Sequence, residues 1–541
     1  MYTYQRVLSI IVFALILLGC NQSKSASVPD HPNVVFIMCD DLNDYQGAFG
    51  GHPQAHTPNI DKLAASGVRF INAQTNIGLC NPSRNSLFTG IYPHQSRNFG
   101  LDKKTTQKLF KNNKTIMEQF SEKGYYVMGS GKLLHSNQKN LWDEWGVQIN
   151  NYGPFAYDGE KQVAHPSVPQ PFRSIGDIDG SYAPLSDIPI FQENEIKGEN
   201  PGWAYSGKDG KVFHYVDETN RDLVPDELHA QWAAKRIKEM DAQESDQPFF
   251  MGIGFVRPHT PLYAPKRFFD MFPIEKLQLP LIKEGDVEDT YYKVNYPVER
   301  TADDKWYTNT SKGQMYSKML TESYGGDEEE GLKHFLQAYL ACVAFVDEQV
   351  GIVLDALSES KFAENTIVVL TSDHGWQMGQ KQYLFKNSPW ENSTRIPLVV
   401  RIPGIEPGSK VEQPVSLVDI YPSLVDICNL GDNNKKNEKG LSLGGFSFKP
   451  LLENTKSESW QGPEGTLTAI ATDVVDYNLE AQTFSYRTKD FRYIIYPNGA
   501  EELYDLKNDP NEWYNLASDK AYEPHLIVMR EKVKNMVNSN K

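Results

Sequence analysis

The sequence is short of cysteine, of basic charge and of long apolar runs. Five cysteines occur in 541 residues, at positions 20, 39, 80, 342 and 428, and their spacing does not read as a disulfide framework. A chain this long can bury enough apolar surface to need no such staples. Lys and Arg number 54 against 70 Asp and Glu, a net charge of −16. That argues against a nucleic-acid binder, which requires a dominant basic field. An anionic substrate would then have to be drawn in by a local basic pocket. The longest apolar run, residues 7–18, is too short to span a bilayer. No internal repeat is visible. What is present is a 40% apolar fraction, enough for a sizeable core, and 28 tyrosines, which suit contacts to sugar rings. The length suggests two to four domains, or one large domain with an appendage.

The N-terminus reads as an export signal. Arg6 precedes the apolar run, which ends Leu17-Leu18-Gly19-Cys20. This string resembles the bacterial lipobox, which implies a signal peptide over 1–19 and lipidation of Cys20. The bare alternative is an ordinary signal peptide with an incidental cysteine. Residues 20–30 then form a tether. Asn21, in place of the Asp that holds lipoproteins on the inner membrane, favours the outer membrane, on its periplasmic or outer side.

Along the rest of the chain, strands and helices alternate. Residues 33–39 read as a buried parallel strand. Residues 58–66 form a helix opened by Pro58 and stopped at Gly67. Helices are expected over 116–124, 227–241 and 334–357, and strands over 125–128, 249–255, 366–370 and 397–402. This is the pattern of a doubly wound α/β domain, placed at 31–455. Two stretches, 150–224 and 284–327, lack periodicity and are rich in Tyr. They are read as loops walling a substrate site. After a polar link at 456–464, strands near 466–473, 483–488 and 491–496 and a helix over 521–537 suggest a small C-terminal subdomain, 456–541. Cys39 and Cys342 read as buried thiols, and Trp376, Tyr383 and Trp390 as walls and core.

The chemistry-bearing residues gather at strand ends. Asp40 and Asp41 follow one buried strand, and Asp373 and His374 follow another. Ligands of open α/β sheets lie outside the carboxyl ends of the strands. Carboxylates converging there would repel without a cation, and oxygen ligands favour Ca²⁺ or Mg²⁺. In Cys80-Asn-Pro-Ser-Arg84-Asn-Ser-Leu87-Phe-Thr89-Gly90, Pro82 suits a first helical turn and Gly90 a position past the last. Cys80 is thus placed at a helix N-terminus, where N–H groups and the helix dipole favour anions, with Arg84 one turn on. Taken bare, Cys80 reads as a low-pKa nucleophilic thiol.

The string C-x-P-S-R-x-x-L-x-T-G resembles the signature of the type I sulfatases at every defined position. The resemblance extends to Asp40-Asp41, Thr57-Pro58-Asn59-Ile60-Asp61, Gly131-Lys132, Pro258-His259-x-Pro261, Asp373-His374-Gly375 and Leu503-Tyr504-Asp505-Leu506. Gly131-Lys132-x-x-His135, Gly254-Phe255-x-x-Pro258-His259 and Lys386 followed by Thr394-Arg395-Ile396-Pro397 look most like the iduronate-2-sulfatase branch. The resemblance implies an alkaline-phosphatase-like α/β fold with a large mixed sheet and a small C-terminal antiparallel sheet. It implies conversion of Cys80 to Cα-formylglycine by a maturation enzyme, and Ca²⁺ held by Asp40, Asp41, Asp373, His374 and residue 80. Hydrated, the aldehyde would attack the ester sulfur through one hydroxyl and expel sulfate through the other. Arg84, Lys132 and Lys386 would neutralise the sulfate oxygens, His135 would handle protons at the hydrate, and His259 would protonate the leaving oxygen. The implied substrate is a sulfated oligosaccharide, with ulvan first and other algal polysaccharides or glycosaminoglycans behind it. The rivals are a phosphate or phosphonate monoester hydrolase on the same scaffold, a non-catalytic sugar-binding lipoprotein, and a thiol enzyme using unmodified Cys80.

Overall fold

A computed structural model describes residues 31–135, 138–206, 211–291, 312–471 and 478–538. The signal peptide, Cys20 and the tether lie outside these residues, as do Tyr292, Tyr296 and Tyr307 of the second wall segment.

The central sheet is built from β1 (Asn33–Asp40), β2 (Val68–Phe70), β3 (Tyr126–Gly131), β4 (Glu144–Trp145), β5 (Phe249–Pro258), β6 (Thr366–Ser372), β7 (Leu398–Arg401) and β8 (Ser409–Val411). Their order is β8-β2-β7-β6-β1-β5-β3-β4. Strands β6, β1, β5, β3 and β4 run parallel, while β7 is antiparallel to both β6 and β2, so the sheet is mixed. Alternation along β1 sorts its side chains onto two cores. Val35, Ile37 and Cys39 face one, Val34, Phe36 and Met38 the other, and all are buried.

The first core is closed by α1 (Pro58–Ser66), α5 (Pro225–Asp241) and the long α7 (Glu328–Ser358), the second by α2 (Cys80–Thr89), α4 (Ile116–Glu122) and α8 (Ile420–Ile427). Between α2 and α4 lies the short α3 (Lys103–Asn112), and α6 (Lys312–Ser323) precedes α7. Each fully buried Leu, Ile, Val, Phe or Met side chain contributes roughly 1.5–3 kcal/mol. The Thr57-Pro58-Asn59-Ile60-Asp61 marker is structural. Thr57 makes no side-chain cap to α1, and Asp347 of α7 does this instead, accepting from Asn59 N (3.1 Å) and Ile60 N (2.8 Å).

A four-stranded antiparallel sheet follows, β9 (Thr466–Ile470), β10 (Thr483–Arg487), β11 (Phe491–Ile495) and β12 (Glu501–Asp505) in sequential order, with α9 (Glu523–Asn538) packed on it. Ile77 and Leu79, just before Cys80, join its core.

Three expectations need correction. Residues 150–224 are not irregular throughout: Phe155–Tyr157, Gln162–Val163, Gly202–Ser206 and Lys211–Val212 pair in a four-stranded sheet. Three of these strands carry too few residues to show a period of two, and Gly202–Ser206 is buried along most of its length and so does not alternate. In the second wall segment, Lys312–Ser323 is helical and Tyr316 is buried, donating to Asp179 Oδ2 at 3.0 Å. Helix α7 also starts earlier than expected. Asp327 accepts from Glu330 N at 3.0 Å, and Glu328, Glu329 and Glu330 follow it in the first turn, where the helix dipole favours them.

Candidate active site

Four neighbouring parallel strands end side by side, and each delivers site residues at its carboxyl end. β1 ends in Asp40 and Asp41, β6 is followed by Asp373 and His374, β5 by His259, and β3 by Lys132. Register fixes the alignment: Asp40 stands opposite Pro258, and Cys39 opposite Ser372. Gly131 has φ +85°, and a Cβ there would meet Gly254 O at 2.0 Å. Gly131 is thus required by the close approach of β3 and β5.

Helix α2 adds a further wall to these strand ends. Its N-cap, Leu79, is extended and its C-cap, Gly90, is left-handed with its N–H bonded to Ser86 O. Cys80 therefore occupies the first turn, buried. Burial, and then Asp40, push its thiol up to about 11. Such a group is protonated at neutral pH, which counts against the low-pKa thiol reading. His374 Nε2 and Lys386 Nζ each lie 3.3 Å from its Sγ. Thr75 Oγ1 and Ser83 Oγ both donate to Asp373 O, at 2.6 and 2.7 Å, tying α2 to the end of β6.

Three acids meet three cations here. Arg84 Nε donates to Asp373 Oδ2 at 2.8 Å, and its Nη2 lies 3.4 Å from Asp40 Oδ1. Lys132 Nζ bonds Asp40 Oδ2. Lys386 Nζ donates to Asp41 Oδ1 at 2.9 Å. Burial alone would raise Asp40, but Lys132 and Arg84 outweigh it and hold the carboxyl well below the usual range. At Asp41 burial wins over Lys386 and His374 and raises the carboxyl to about 8. Its backbone is left-handed (φ 61°), and Tyr339 OH, which donates to Asp41 O at 2.7 Å, helps to hold that turn.

Asp40, Cys80, Asp373 and His374 offer ligand atoms all within 4.8 Å of one another, as do Asp40, Asp41, Cys80 and His259. Asp40 Oδ1 accepts no hydrogen bond despite full burial. Carboxylate oxygens dominate the donor set, which fits a hard cation such as Ca²⁺. His374 and the atom on residue 80 complete it.

His259 is buried, with Nε2 3.8 Å from Asp41 Oδ2 and Nδ1 bonded to Thr260 O. Burial, then Lys386, hold its pKa well below the usual value. His135 stands apart at the rim, with solvent reaching its side chain. Partial desolvation by the surrounding wall, then Lys132, push it down to about 4. Of the ten residues expected from sequence, nine thus converge and His135 borders them.

Sequence reasoning missed Tyr152. Its ring lies 4.5 Å from Lys132 Nζ and packs edge-on to His259, with centroids 5.1 Å apart. It also missed Asp226, which accepts from Val256 N and Arg257 N, both at 2.9 Å, and fixes the end of β5. Neither belongs to a motif, and Tyr152 sits in the segment read only as wall. Lys386 rides on a loop clamped by the C-terminal sheet. Asn387 exchanges two hydrogen bonds with Ala471 (3.0 and 3.1 Å), and Ser485 Oγ donates to Pro389 O at 2.8 Å. Fully buried Arg492 bonds both Glu391 and Glu512 beneath the loop. Trp376, Tyr383 and Trp390 are core residues around it, as expected.

With this crevice in view, comparison with known proteins gives its class. The Sulfatase family profile matches residues 32–430, and the profile described as N-sulphoglucosamine sulphohydrolase, C-terminal, matches 374–539. The chain belongs to the sulfatase family and is a sulfatase. A protein named Sulfatase from Formosa agariphila is 31% identical over 532 residues, covering 96% of this chain and 90% of that one. Human iduronate 2-sulfatase is 25% identical, covering 92% and 93%. Among solved structures, BT4656 in complex with its substrate D-glucosamine-2-N,6-O-disulfate superposes with a TM-score of 0.63 at 20% identity, covering 95% of this chain and 99% of that one. The phosphonate monoester hydrolase of Agrobacterium radiobacter gives 0.62 at 20% identity, covering 94% and 96%, so the fold alone does not choose between sulfate and phosphonate esters.

Proposed function

We propose that this sulfatase removes sulfate from a sulfated oligosaccharide, with residue 80 matured from cysteine to Cα-formylglycine. The observation that carries the reading is the seating of Cys80. It lies buried at a helix N-terminus between Lys386 and His374, where a thiol is held protonated. Hydrated, the matured aldehyde supplies one hydroxyl to attack the ester sulfur and a second through which sulfate is expelled. Asp40, Asp41, Asp373, His374 and residue 80 would hold Ca²⁺, which supplies positive charge to that nucleophile and to the sulfate. Arg84, Lys132 and Lys386 add fixed positive charge in a crevice from which most water is excluded. His259 is placed to give a proton to the departing sugar oxygen, and His135 to exchange protons with solvent at the rim. Tyr152 offers a ring edge to the leaving sugar. The reading includes export and anchoring through Cys20, with a maturation enzyme acting beforehand.

Ulvan oligosaccharides head the substrate panel because they pair sulfated rhamnose with iduronate, the sugar named in one relative. The test is mass spectrometry of the peptide spanning residue 80, with sulfate and phosphate release measured on matched esters. The expected result is aldehyde at residue 80, a strong preference for sulfate, and loss of all turnover in Cys80→Ala with an unchanged thermal transition. A fully active protein carrying unmodified cysteine would overturn the mechanism. A preference for phosphate or phosphonate monoesters would overturn the substrate class.

A further inference from the structure

The strongest charge anomaly lies outside the crevice. In a chain of net charge −16, residues 102–114 hold five lysines and one acid. They include α3, whose buried side chains are Thr106, Leu109 and Asn112. At 100° per residue, Lys103, Lys104, Lys108 and Lys111 fall within about 140° on the opposite, exposed face. A second segment extends it. Lys435 pairs with Asn113 in an antiparallel bridge, Lys436 N donates to Asn112 O at 2.8 Å, and Asn437 Nδ2 donates to Lys111 O at 3.2 Å. This places Lys435 and Lys439 beside the end of α3. Lys114 and Lys436 are paired with Glu122 and Glu118. Among the described residues, Lys103, Lys104, Lys108, Lys111, Lys435 and Lys439 form no ion pair.

A helix C-terminus accounts for a cation in its last turn, such as Lys111, but not for Lys103 and Lys104 in the first turn, where the dipole disfavours them. The patch is also joined to the catalytic helix. Asn81, next to Cys80, donates to Gly100 O at 2.7 Å, and Asn85 donates to Thr106 Oγ1 at 3.0 Å. Asn98 donates to Thr105 Oγ1 at 2.7 Å. The first turn of α3 is thus held against the start of α2 through its buried face, and the lysines face outward from that contact, one helix away from residue 80.

We propose that this lysine face binds the continuation of a sulfated polysaccharide chain whose terminal sugar occupies the crevice. The inference rests on the sulfatase reading above and adds a docking surface for polyanionic substrate. Spaced like charges along one exposed helix side suit a polymer with repeated sulfates better than a single small anion. Against a global charge of −16, such a patch is what would let a polyanion approach near the crevice at all. The interaction is screened by salt, with a Debye length of about 10 Å at 0.1 M.

The test is the triple variant K104E/K108E/K111E, made in the matured enzyme and also in a Cys80→Ala background for binding without turnover. Dextran sulfate and heparin serve as polymer probes, a 4-nitrophenyl sulfate as the small substrate, and phosphatidylglycerol vesicles as the competing surface. The expected result is that polymer affinity falls on the order of tenfold at low salt and that its salt dependence flattens. Turnover of the small sulfate and the thermal transition stay as in the parent. Unchanged polymer affinity would overturn the proposal, and so would loss of vesicle binding with polymer binding intact, which would assign the patch to a lipid surface. Failure of the sulfatase reading would show instead as absent turnover of the small sulfate in the parent itself.

Discussion

His259 shows how its surroundings would set a single residue for the acid role proposed above. Its Nδ1 lies against Thr260 O, which only accepts, so Nδ1 carries the proton and Nε2 faces Asp41. Burial and the nearby lysines keep the ring neutral in the resting protein. A bound sulfate ester brings negative charge to the same place and favours protonation of Nε2, from which the departing oxygen can be served. The demand for that proton depends on the leaving group. His259→Ala should therefore cost about 10²–10⁴-fold in kcat/KM on sugar sulfates, whose alkoxides leave poorly, and less than about tenfold on activated aryl sulfates. Steady-state kinetics on both classes checks this, and equal losses would remove His259 from the acid role.

At the scale of elements, the strands that matter most were the most legible. β1, β5 and β6 are unbroken apolar runs, buried on both faces, and such runs declare themselves without knowledge of their neighbours. Helix α2 was legible from Pro82 and Gly90 alone. The wall segments were not, because most of their strands are two or three residues long and the pairing that joins the two hairpins, Phe155–Tyr157 with Gly202–Ser206, is distant in sequence. Tyr152 and Asp226 escaped for the same reason, since each acts on a strand end that only the fold brings near. The seam between α5 and β3 is a further case. His229 of α5 is buried between Ser130 Oγ (2.8 Å) and Asn151 Oδ1 (2.9 Å), and burial lowers its pKa to about 3. The unfolded chain binds a proton there near pH 6.5 and the folded chain does not, so stability falls as pH drops from about 6.5 toward 3. Between pH 7 and 4 the protein should lose on the order of 3 kcal/mol more than His229→Gln does. Urea unfolding of both at the two pH values measures it, and parallel losses would reject the assignment.

Across the whole molecule, the crevice is where segments far apart in sequence are held together: the ends of β1, β3, β5 and β6, the start of α2, and the Lys386 loop clamped by the C-terminal sheet. With Asp41, which burial raises to about 8, counted as ionised, its charges cancel, Asp40, Asp41 and Asp373 being balanced by Arg84, Lys132 and Lys386. Repulsion among the carboxylates is thus already relieved by side chains, and a divalent cation would leave the site with net positive charge, matched to an anionic ester in an otherwise acidic protein. Such a cation would also oppose the burial that raises Asp41, and it would join β1 to β6 and α2. Because it binds only the folded arrangement, at about a hundredfold excess over its Kd it should add about 2.7 kcal/mol to stability. Calcium should therefore raise the thermal transition by several degrees and EDTA lower it, with Mg²⁺ less effective because it demands a tighter octahedron. Asp373→Asn should erase the calcium shift. Calorimetry with and without EDTA makes the comparison, and a matured protein whose transition ignores the chelator would show that the three cationic side chains suffice and that no metal ties the segments together.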